Sequence, residues 1–404
     1  MSLAKIGQLA WRNLWRQRRR NLTMLVALSF AVMGVIFLNA FLRGMTAQMA
    51  DGAINSMVGH VKVLQPGYRD DPGIARSFVL ESEWSPEIPA GQLQGWARRV
   101  RVPAVIMSER ETRGIEFIGI DPAQESISFV ADWTIEGEGL QGPDDRRILV
   151  GKSLAEQLET AAGRRLVIVT QGADGRSREA GYRIAGLYQS EHSALEKFHV
   201  FTGIEAAQAL LVSDTVTEVS VRLTDEKYQP TVLQSLIATF VGRNVFDWQT
   251  LQPMAATMMQ LSDAMIYILF IIVMSALVFG LVNTVVTAVM ERYREIGMLR
   301  ALGMRSGAVL LQIVTESTLI MIMGVAIGTA AGGGLCWWLS DGVDLAAFSE
   351  GLEAFGFSSN TLVPTIVPAD LAFVVVASLV MGVVASFFPA LRAVRLNPLE
   401  AMRR

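Results

Sequence analysis

The sequence predicts a polytopic α-helical membrane protein with four transmembrane helices and a large α+β extracytoplasmic domain between the first and second helix. Three observations lead to this prediction. Apolar residues make up 51% of the 404 residues and charged residues only 18%, against about 25% charged in ordinary soluble domains. Four apolar runs are long enough to cross a bilayer core, which takes about 20 helical residues. The arginines cluster beside these runs, as they do in membrane proteins.

The four apolar runs differ in character. The first follows a basic segment, but it is longer than a signal-peptide core of about 7–15 residues and no small-residue cleavage site follows it, so we expect an uncleaved anchor. The third is overlong and has Gly324, Gly328 and Gly332 at four-residue spacing. It can tilt, bend or pack closely against a neighbouring helix. The predicted spans are residues 21–42, 264–290, 308–339 and 370–391.

The charge distribution predicts the topology. Residues 1–21 carry six Lys or Arg and no acid, whereas residues 341–370 carry five acids and no Lys or Arg. Basic segments flanking spans stay in the cytoplasm, and long domains cross the membrane regardless of their charge. We therefore expect cytoplasmic segments at residues 1–20, 291–307 and 392–404, and external segments at residues 43–263 and 340–369.

The external segment changes to short β patterns between two helical ends. Helical periodicity continues past the first span and resumes before the second, which predicts stalks that extend both spans. Seven apolar runs bounded by Gly, Pro or Asp predict strands, and three segments predict helices, in one or two lobes. The strands are residues 59–64, 114–120, 146–151, 165–170, 182–188, 198–203 and 218–223, and the helices are residues 152–159, 204–211 and 229–240.

No catalytic, cofactor or metal site is predicted in this chain. Gly151, Lys152 and Ser153 follow a strand and open a helix, but a phosphate-binding loop needs glycine where Arg146 stands. His192 and His199, with Glu191 and Glu196, match no compact zinc spacing, so we expect solvated surface residues. The large polar segment lacks a basic face of the kind that would indicate nucleic-acid binding. Any ATP and Mg²⁺ are expected on a separate partner ATPase.

The N-terminal segment, residues 1–20, predicts an amphipathic helix at the membrane surface. On a helical wheel, Trp11 and Trp15 fall in an apolar arc with Ile6, while Arg12 and Arg16 fall in the opposite arc. Tryptophan suits headgroup depth, and the cations suit water and anionic lipid. A plain basic anchor beside the membrane is the alternative interpretation.

The predicted cytoplasmic loop between the second and third spans combines charges with apolar side chains. A solvated turn does not need exposed Ile, Met and Leu residues, whereas a docking element for a soluble partner does. We therefore predict that this loop is a docking element for a soluble partner. Its candidate contact residues, to which the family resemblance described next assigns coupling to an ATPase, are Glu291, Arg292, Glu295, Ile296, Gly297, Arg300, Ala301 and Gly303.

Three cytoplasmic elements resemble the FtsX-like permeases. The segment "ERYREIGMLRALGMRSGAVLLQIVTES" (residues 291–317) is similar to their signature loop, and "FPALRAVRLNPLEAMR" (388–403) is similar to their C-terminal ending. The segment "AWRNLWRQRRRNLTML" (10–25) resembles the LolC/LolE lipoprotein-release branch. Within the external domain, "GIEFIGIDPAQES" (114–126) and "RRILVGKSLAEQL" (146–158) also resemble this branch more than MacB, whose own ATPase domain has no counterpart here.

The resemblance implies the permease subunit of a type VII ABC transporter in the bacterial inner membrane. Such a subunit is not itself an enzyme. It transmits the cycle of a cytoplasmic ATPase dimer, by mechanotransmission, to a periplasmic core domain, and it pairs with a second permease copy or a paralogue. The implied work is release of lipoproteins or lipids. The alternatives are a scaffold that activates a periplasmic hydrolase or sensor, and a tripartite exporter of small molecules or peptides.

The resemblance also points to a periplasmic partner loop. The hairpin from Thr170 to Tyr182 occupies the place of the loop that holds a lipoprotein chaperone, but it is short and contains no proline. Its candidate contacts with a chaperone or adaptor are Gln171, Asp174, Arg176 and Arg178.

A release function needs a path for acyl chains between the first two spans. Apolar residues recur there at three- and four-residue spacing, so they share one helical face. Methionine suits flexible chains because its side chain is adaptable. Ordinary packing or lipid contact is the alternative. The candidate path residues are Val35, Leu38, Leu42 and Met45 on the first span and Met258, Leu261, Met265 and Leu269 on the second.

Overall fold

The computed structural model describes residues 18–81, 83–131, 133–190, 193–291, 298, 304–344 and 361–394. The chain divides into two compact units. Among the described residues, the membrane unit contains 18–47, 258–291, 298, 304–344 and 361–394, and the external unit contains 48–257.

The helices and strands follow one another in this order: α1 (Arg18–Ala53), β1 (Val61–Leu64), β2 (Leu93–Met107), β3 (Thr112–Ile120), β4 (Thr134–Gly137), β5 (Arg147–Gly151), α2 (Lys152–Gln157), β6 (Arg165–Gln171), β7 (Ser177–Gln189), α3 (Ser193–Glu196), β8 (His199–Gly203), α4 (Ile204–Leu211), β9 (Glu218–Leu223), α5 (Gln229–Thr239), β10 (Asn244–Asp247), α6 (Trp248–Leu251), α7 (Pro253–Glu291), α8 (Ser306–Trp338), β11 (Val343–Asp344), β12 (Thr361–Leu362) and α9 (Pro368–Val394).

Four helices, α1, α7, α8 and α9, are long and apolar enough to cross a membrane. Helix α1 continues past residue 42 to Ala53, and α7 begins at Pro253, well before residue 264. Both helices are therefore longer than a single span of about 20 residues requires. The interior of the bundle is apolar, with Val32, Met274, Met321 and Val374 almost fully buried.

The glycines of α8 form a seam against α1. A Cβ atom added at Gly324 would lie 2.5 Å from Leu28 Cδ2, and one at Gly328 would lie 2.8 Å from Val32 Cβ. Gly332 continues the same four-residue spacing. Of the three interpretations left open by the sequence, the structure therefore shows close helix packing, which glycine permits because it has no side chain.

The external unit contains a ten-stranded sheet. Its strand order is β10-β1-β9-β2-β3-β8-β5-β7-β4, and β6 pairs with both β2 and β7. The pairings β2-β3, β3-β8, β8-β5, β5-β7, β7-β6 and β6-β2 therefore close a ring of six strands. The seven predicted strands and three predicted helices are confirmed, with ends shifted by a few residues.

Strand β2 belongs to both parts of this sheet. Its first half pairs with β9 through Arg99, and its last four residues pair with β6 from Ala104 onward. Pro103, which has no N–H to donate, lies between these two pairings, where it interrupts neither. The sequence prediction missed β2, because charges at Arg98, Arg99 and Arg101 and a proline are unusual in a central strand. It also missed the four-residue strands β4 and β10.

We expect Gly328→Leu to destabilise the bundle, because the added side chain would meet Val32. Overpacking of this kind costs about 1–3 kcal/mol. The matched control is Gly333→Leu on the same helix, where nothing lies within 4 Å of the added Cβ. The thermal unfolding midpoint of the full chain in detergent measures the difference. Equal midpoints for the two variants would show that the seam does not hold α8 against α1.

Candidate functional site

An apolar cavity of about 200 Å³ lies between α1, α7 and α9 in the membrane unit. Four of the predicted path residues line it: Val35, Leu38, Leu42 and Leu269. Phe373 and other apolar residues complete the wall. Helical spacing brings the α1 residues to one face, and the tertiary packing places that face against α7 and α9.

The other four predicted path residues do not line this cavity. Met45 and Met258 are half-buried elsewhere, and Leu261 and Met265 are 53% and 50% exposed. Helix α7 instead presents Ile266, Tyr267, Phe270 and Val273 to the cavity, together with Leu269. The face of α7 that meets α1 is thus rotated from the predicted one. The rotation cannot be read from α7, which is apolar all round its span.

A second apolar cavity, of about 640 Å³, lies farther along α1 and α7. It is lined by Met24, Leu28 and Met274 and is bounded on one side by Met321 of α8. The two cavities share only the lining residues Ala31 and Val273. We call this pair of neighbouring apolar cavities the α1–α7 channel.

Three charged residues lie at one end of the α1–α7 channel. The Arg43 guanidinium donates from Nη1 to Asp263 Oδ1 at 2.5 Å and from Nε to Asp370 Oδ2 at 2.6 Å. This triad joins α1, α7 and α9 beside the smaller cavity, which Arg43 and Asp370 help to line. The sequence analysis did not single these residues out, although each lies next to the end of an apolar run.

In the external unit, a buried arginine donates a hydrogen bond to the segment that follows α1. After α1 the chain makes a turn at residues 54–58, in which Met57 has a φ of 69°. Arg99 donates from Nη1 to the Met57 carbonyl at 2.8 Å. The same side chain, fully buried, donates from Nη2 to Glu125 at 2.5 Å and from Nη1 to Glu218 at 3.0 Å.

A second cation completes this buried cluster. Lys62 donates to Glu218 Oε2 at 2.9 Å, and both side chains are almost completely buried. Burial by itself raises the pKa of Glu218, but the charges of Lys62 and Arg99 outweigh it and lower that pKa to about 2. Burial lowers the pKa of Lys62 to about 8. At neutral pH the cluster therefore holds paired charges, which is the condition for burying them.

The segments that leave α1 and lead into α7 attach to the same edge of the sheet. Strand β1 pairs with β10, with Val61 opposite Asp247. The Trp248 N–H donates to the His60 carbonyl at 3.1 Å, and Trp248 is fully buried. His60 Nδ1 in turn accepts from the Leu223 N–H at 3.1 Å. We call this arrangement, with the Arg99 cluster, the stalk junction.

The expectation of solvated surface residues around His199 is wrong for His199 and Glu196, which are both buried. His199 Nε2 lies 2.8 Å from Glu116 Oε2, which also accepts from Arg101. Glu196 accepts from the Ser153 hydroxyl at 2.8 Å. Partners distant in sequence satisfy both side chains, so local spacing cannot reveal their burial. His192 and Glu191 lie outside the described residues.

The side chains of Lys152 and Ser153, in the Gly151-Lys152-Ser153 segment, each contact an acidic residue. Lys152 pairs with Glu136 at 2.5 Å, and Ser153 is engaged by Glu196 as described above. Across the described parts of the chain, no group of three His, Cys, Asp or Glu residues could hold a metal ion.

The predicted partner loop is a tight β6–β7 hairpin. Arg178 donates to Asp174 at 2.6 Å, and Gln171 donates to the Gly175 carbonyl at 3.1 Å. Arg176 is exposed at the tip. The Ala173 N–H donates to the Leu211 carbonyl at 2.9 Å, so the tip is fastened to the end of α4.

Most of the predicted coupling residues lie outside the described residues. Glu291 is the last residue of α7, while residues 292–297 and 299–303 are not described. The same holds for residues 1–17 of the predicted amphipathic helix.

Two known protein families match this chain. Residues 267–398 match the FtsX-like permease C-terminal family, and residues 22–239, more than half of the chain, match the MacB-like periplasmic core domain. The chain belongs to the FtsX-like permeases with a MacB-like periplasmic core domain. It is thus a bacterial inner-membrane protein, and residues 48–257 correspond to the periplasmic-type domain of this family.

Relatives of this chain include proteins named LolC and MacB. The lipoprotein-releasing system transmembrane protein LolC of Xylella fastidiosa is 25% identical over 326 residues, which are 77% of this chain and 78% of LolC. LolC of Neisseria meningitidis is 25% identical over 318 residues, 74% of this chain and 75% of LolC. The macrolide export ATP-binding/permease protein MacB of Chromobacterium violaceum is 37% identical over 125 residues, 31% of this chain and 17% of MacB.

The crystal structure of the periplasmic region of MacB from Actinobacillus actinomycetemcomitans aligns with 48% of this chain and 90% of that region, at 9% identity and a TM-score of 0.34. The sequence relationships establish a permease of the type VII ABC class, similar to LolC and MacB.

We expect Arg99→Met to lower the free energy of unfolding of the external unit by about 3–5 kcal/mol, because Glu125 loses its cationic partner and Glu218 keeps only Lys62. The matched control is Arg113→Met, whose pair with Glu111 spans 3.7 Å between half-exposed side chains and contributes under about 1 kcal/mol. The temperature at which protease cleaves within residues 48–257 of the full chain measures both. Equal effects would mean that the Arg99 cluster does not stabilise the stalk junction.

We expect the external unit to lose stability as the pH falls from about 6.5 to about 4, in part through His60. Burial lowers the pKa of His60 to about 4. As the pH falls through this window, His60 is protonated in the unfolded chain before it is protonated in the folded one, and the folded state therefore loses stability. Protonation of Nδ1 would also remove the acceptor for the Leu223 N–H. His60→Asn keeps an acceptor but does not titrate, so its melting temperature should depend less on pH. Identical pH profiles would contradict this assignment.

Proposed function

We propose that this permease releases lipoproteins or lipids from the inner membrane, with acyl chains held in the α1–α7 channel. The channel is the observation that supports the proposal. Its walls are apolar, and its charged end would suit a molecule with hydrocarbon chains and a polar head. Apolar walls with a few placed polar groups are typical of ligand sites.

The energy for release would come from a separate cytoplasmic ATPase dimer, which would hold the ATP and Mg²⁺. The loop at residues 291–307 would dock into that ATPase through its apolar side chains, with Glu295 and Arg300 setting the charge complementarity. Both termini would lie in the cytoplasm and residues 48–257 in the periplasm. The chain itself would perform no catalysis and would bind no cofactor or metal.

Motion would reach the periplasmic domain through the stalk junction. Because α1 leads into β1 and β10 leads into α7, a displacement of either helix acts on neighbouring paired strands. The Arg99 cluster would keep the segment after α1 rigid, since moving Met57 alone would break hydrogen bonds to a buried guanidinium. Mechanotransmission would thus use packed and hydrogen-bonded elements rather than a flexible linker.

A second permease copy or a paralogue would face α1 and α7 to complete the path. The β6–β7 hairpin would contact a periplasmic chaperone or adaptor through Gln171, Asp174, Arg176 and Arg178. Because the hairpin tip is fastened to Leu211, it favours a partner that docks on a fixed surface. That feature makes a tripartite exporter with an adaptor protein the second candidate function.

Photo-crosslinking in membranes that contain the complete transporter tests the release function. A crosslinker at Leu269, which lines the channel, should capture lipoprotein or lipid cargo without ATP and lose it after ATP is added. The control is the neighbouring position Ile268, which is exposed and does not line the channel. Because the two positions share the same depth, bulk lipid should label both. Equal, ATP-independent labelling of the two positions would argue against release through this channel.

A further inference from the structure

The charged end of the α1–α7 channel carries more negative than positive charge. The triad contains one guanidinium, on Arg43, and two carboxylates, on Asp263 and Asp370, so its formal net charge is −1. Among the described residues that line the smaller cavity, Arg43 and Asp370 are the charged ones. A polar head that emerges from this cavity therefore meets a surplus of negative charge.

This arrangement disfavours an anionic head. The guanidinium already donates to both carboxylates, so an incoming phosphate or carboxylate would have to displace one of them. It would then lie beside the displaced carboxylate, and like charges at close range repel each other. An arginine held between two acids is for this reason not an anion-binding group.

The same arrangement can accept a primary ammonium group. Asp263 is half exposed, and only its Oδ1 atom receives the Arg43 hydrogen bond described above. A carboxylate has about four lone-pair positions, so Asp263 can accept from a second cation without releasing Arg43. A hydrogen bond between two charged groups is also stronger than one between neutral groups. A single ammonium group would bring the net charge of the triad to zero.

We propose that the triad binds the primary ammonium head of an acylated lipid whose hydrocarbon chain enters the α1–α7 channel. This inference rests on the proposed function, because it assumes that the channel holds acyl chains. It adds that the head is recognised by Asp263, with Arg43 fixing the geometry of both carboxylates. Two sources carry this chemistry, namely an ethanolamine phospholipid and a lipidated cysteine with a free α-amine.

The experiment compares matched ligands on the full chain in nanodiscs. In the first pair, dioleoyl phosphatidylethanolamine competes with dioleoyl phosphatidylglycerol, which has the same chains and phosphate but no amine. In the second pair, a dipalmitoylated cysteine peptide with a free α-amine competes with its N-acetylated form. Retained ligand is counted by native mass spectrometry after release from the nanodisc.

We expect the amine-bearing member of at least one pair to be retained about 1.4-fold to fivefold better, the range for one partly exposed ion pair. The pair that shows the preference identifies the source. Asp263→Asn should abolish the preference by lowering retention of the amine-bearing ligand to that of its amine-free partner. Asp341→Asn, which removes an acid from an exposed loop of the same unit, should leave the preference intact. No preference in either pair, or one that survives Asp263→Asn, would overturn the proposal.

A second variant separates this proposal from the proposed function. Leu38→Trp should fill the smaller cavity and reduce retention of all four ligands. If it does so and no head preference is found, the ammonium site is wrong while the acyl channel stands. If Leu38→Trp retains all ligands like the wild type, the channel does not hold acyl chains and the release function loses its support.

Discussion

A guanidinium without access to solvent organises the external unit of this permease. Arg99 binds Glu125, Glu218, Ser220 and the carbonyl of Met57 at once, and so joins a long central strand, two neighbouring segments and the turn that follows the first long helix. Each partner needs the others, because a buried charge is tolerated only when it is paired and fully hydrogen-bonded. The turn at residues 54–58 is therefore held to the sheet by this cluster.

The membrane unit obeys a different constraint, because apolar surfaces give no hydrophobic driving force between helices in lipid. Close contact of α8 with α1 is achieved instead through glycines, which let the helix backbones approach. Helix α7 has no such seam in the described residues, and the cavities lie along its contact with α1. Helix α1 is therefore tightly packed against α8 and borders open space on the side of α7. This asymmetry suits a helix that stays fixed while a neighbouring helix moves.

The two units thus divide the work. The α1–α7 channel has apolar walls and one charged end, which suits an amphiphilic cargo. The stalk junction contains paired strands and buried ion pairs, which suits transmission of force. Under the proposed function, the chain changes shape when a partner does. Family membership as an FtsX-like permease supports the same division.

The sequence by itself determined the four long helices, seven of the ten strands in the large sheet, and the family. These features depend on composition and on local periodicity, which a single chain displays directly. Strand β2 escaped detection because its arginines and Pro103 look unlike a central strand. Only the sheet shows that Arg99 is paired and that Pro103 lies where the partner strand changes.

Tertiary structure alone decided which side of α7 faces the channel, how Arg43 meets Asp263 and Asp370, and that His199 is buried against Glu116. Each of these features joins residues far apart in the chain. A helix that is apolar all round its span gives no signal for its rotation, and a charge gives no signal for its partner. Periodicity reports what a segment can form, whereas packing determines what its side chains touch.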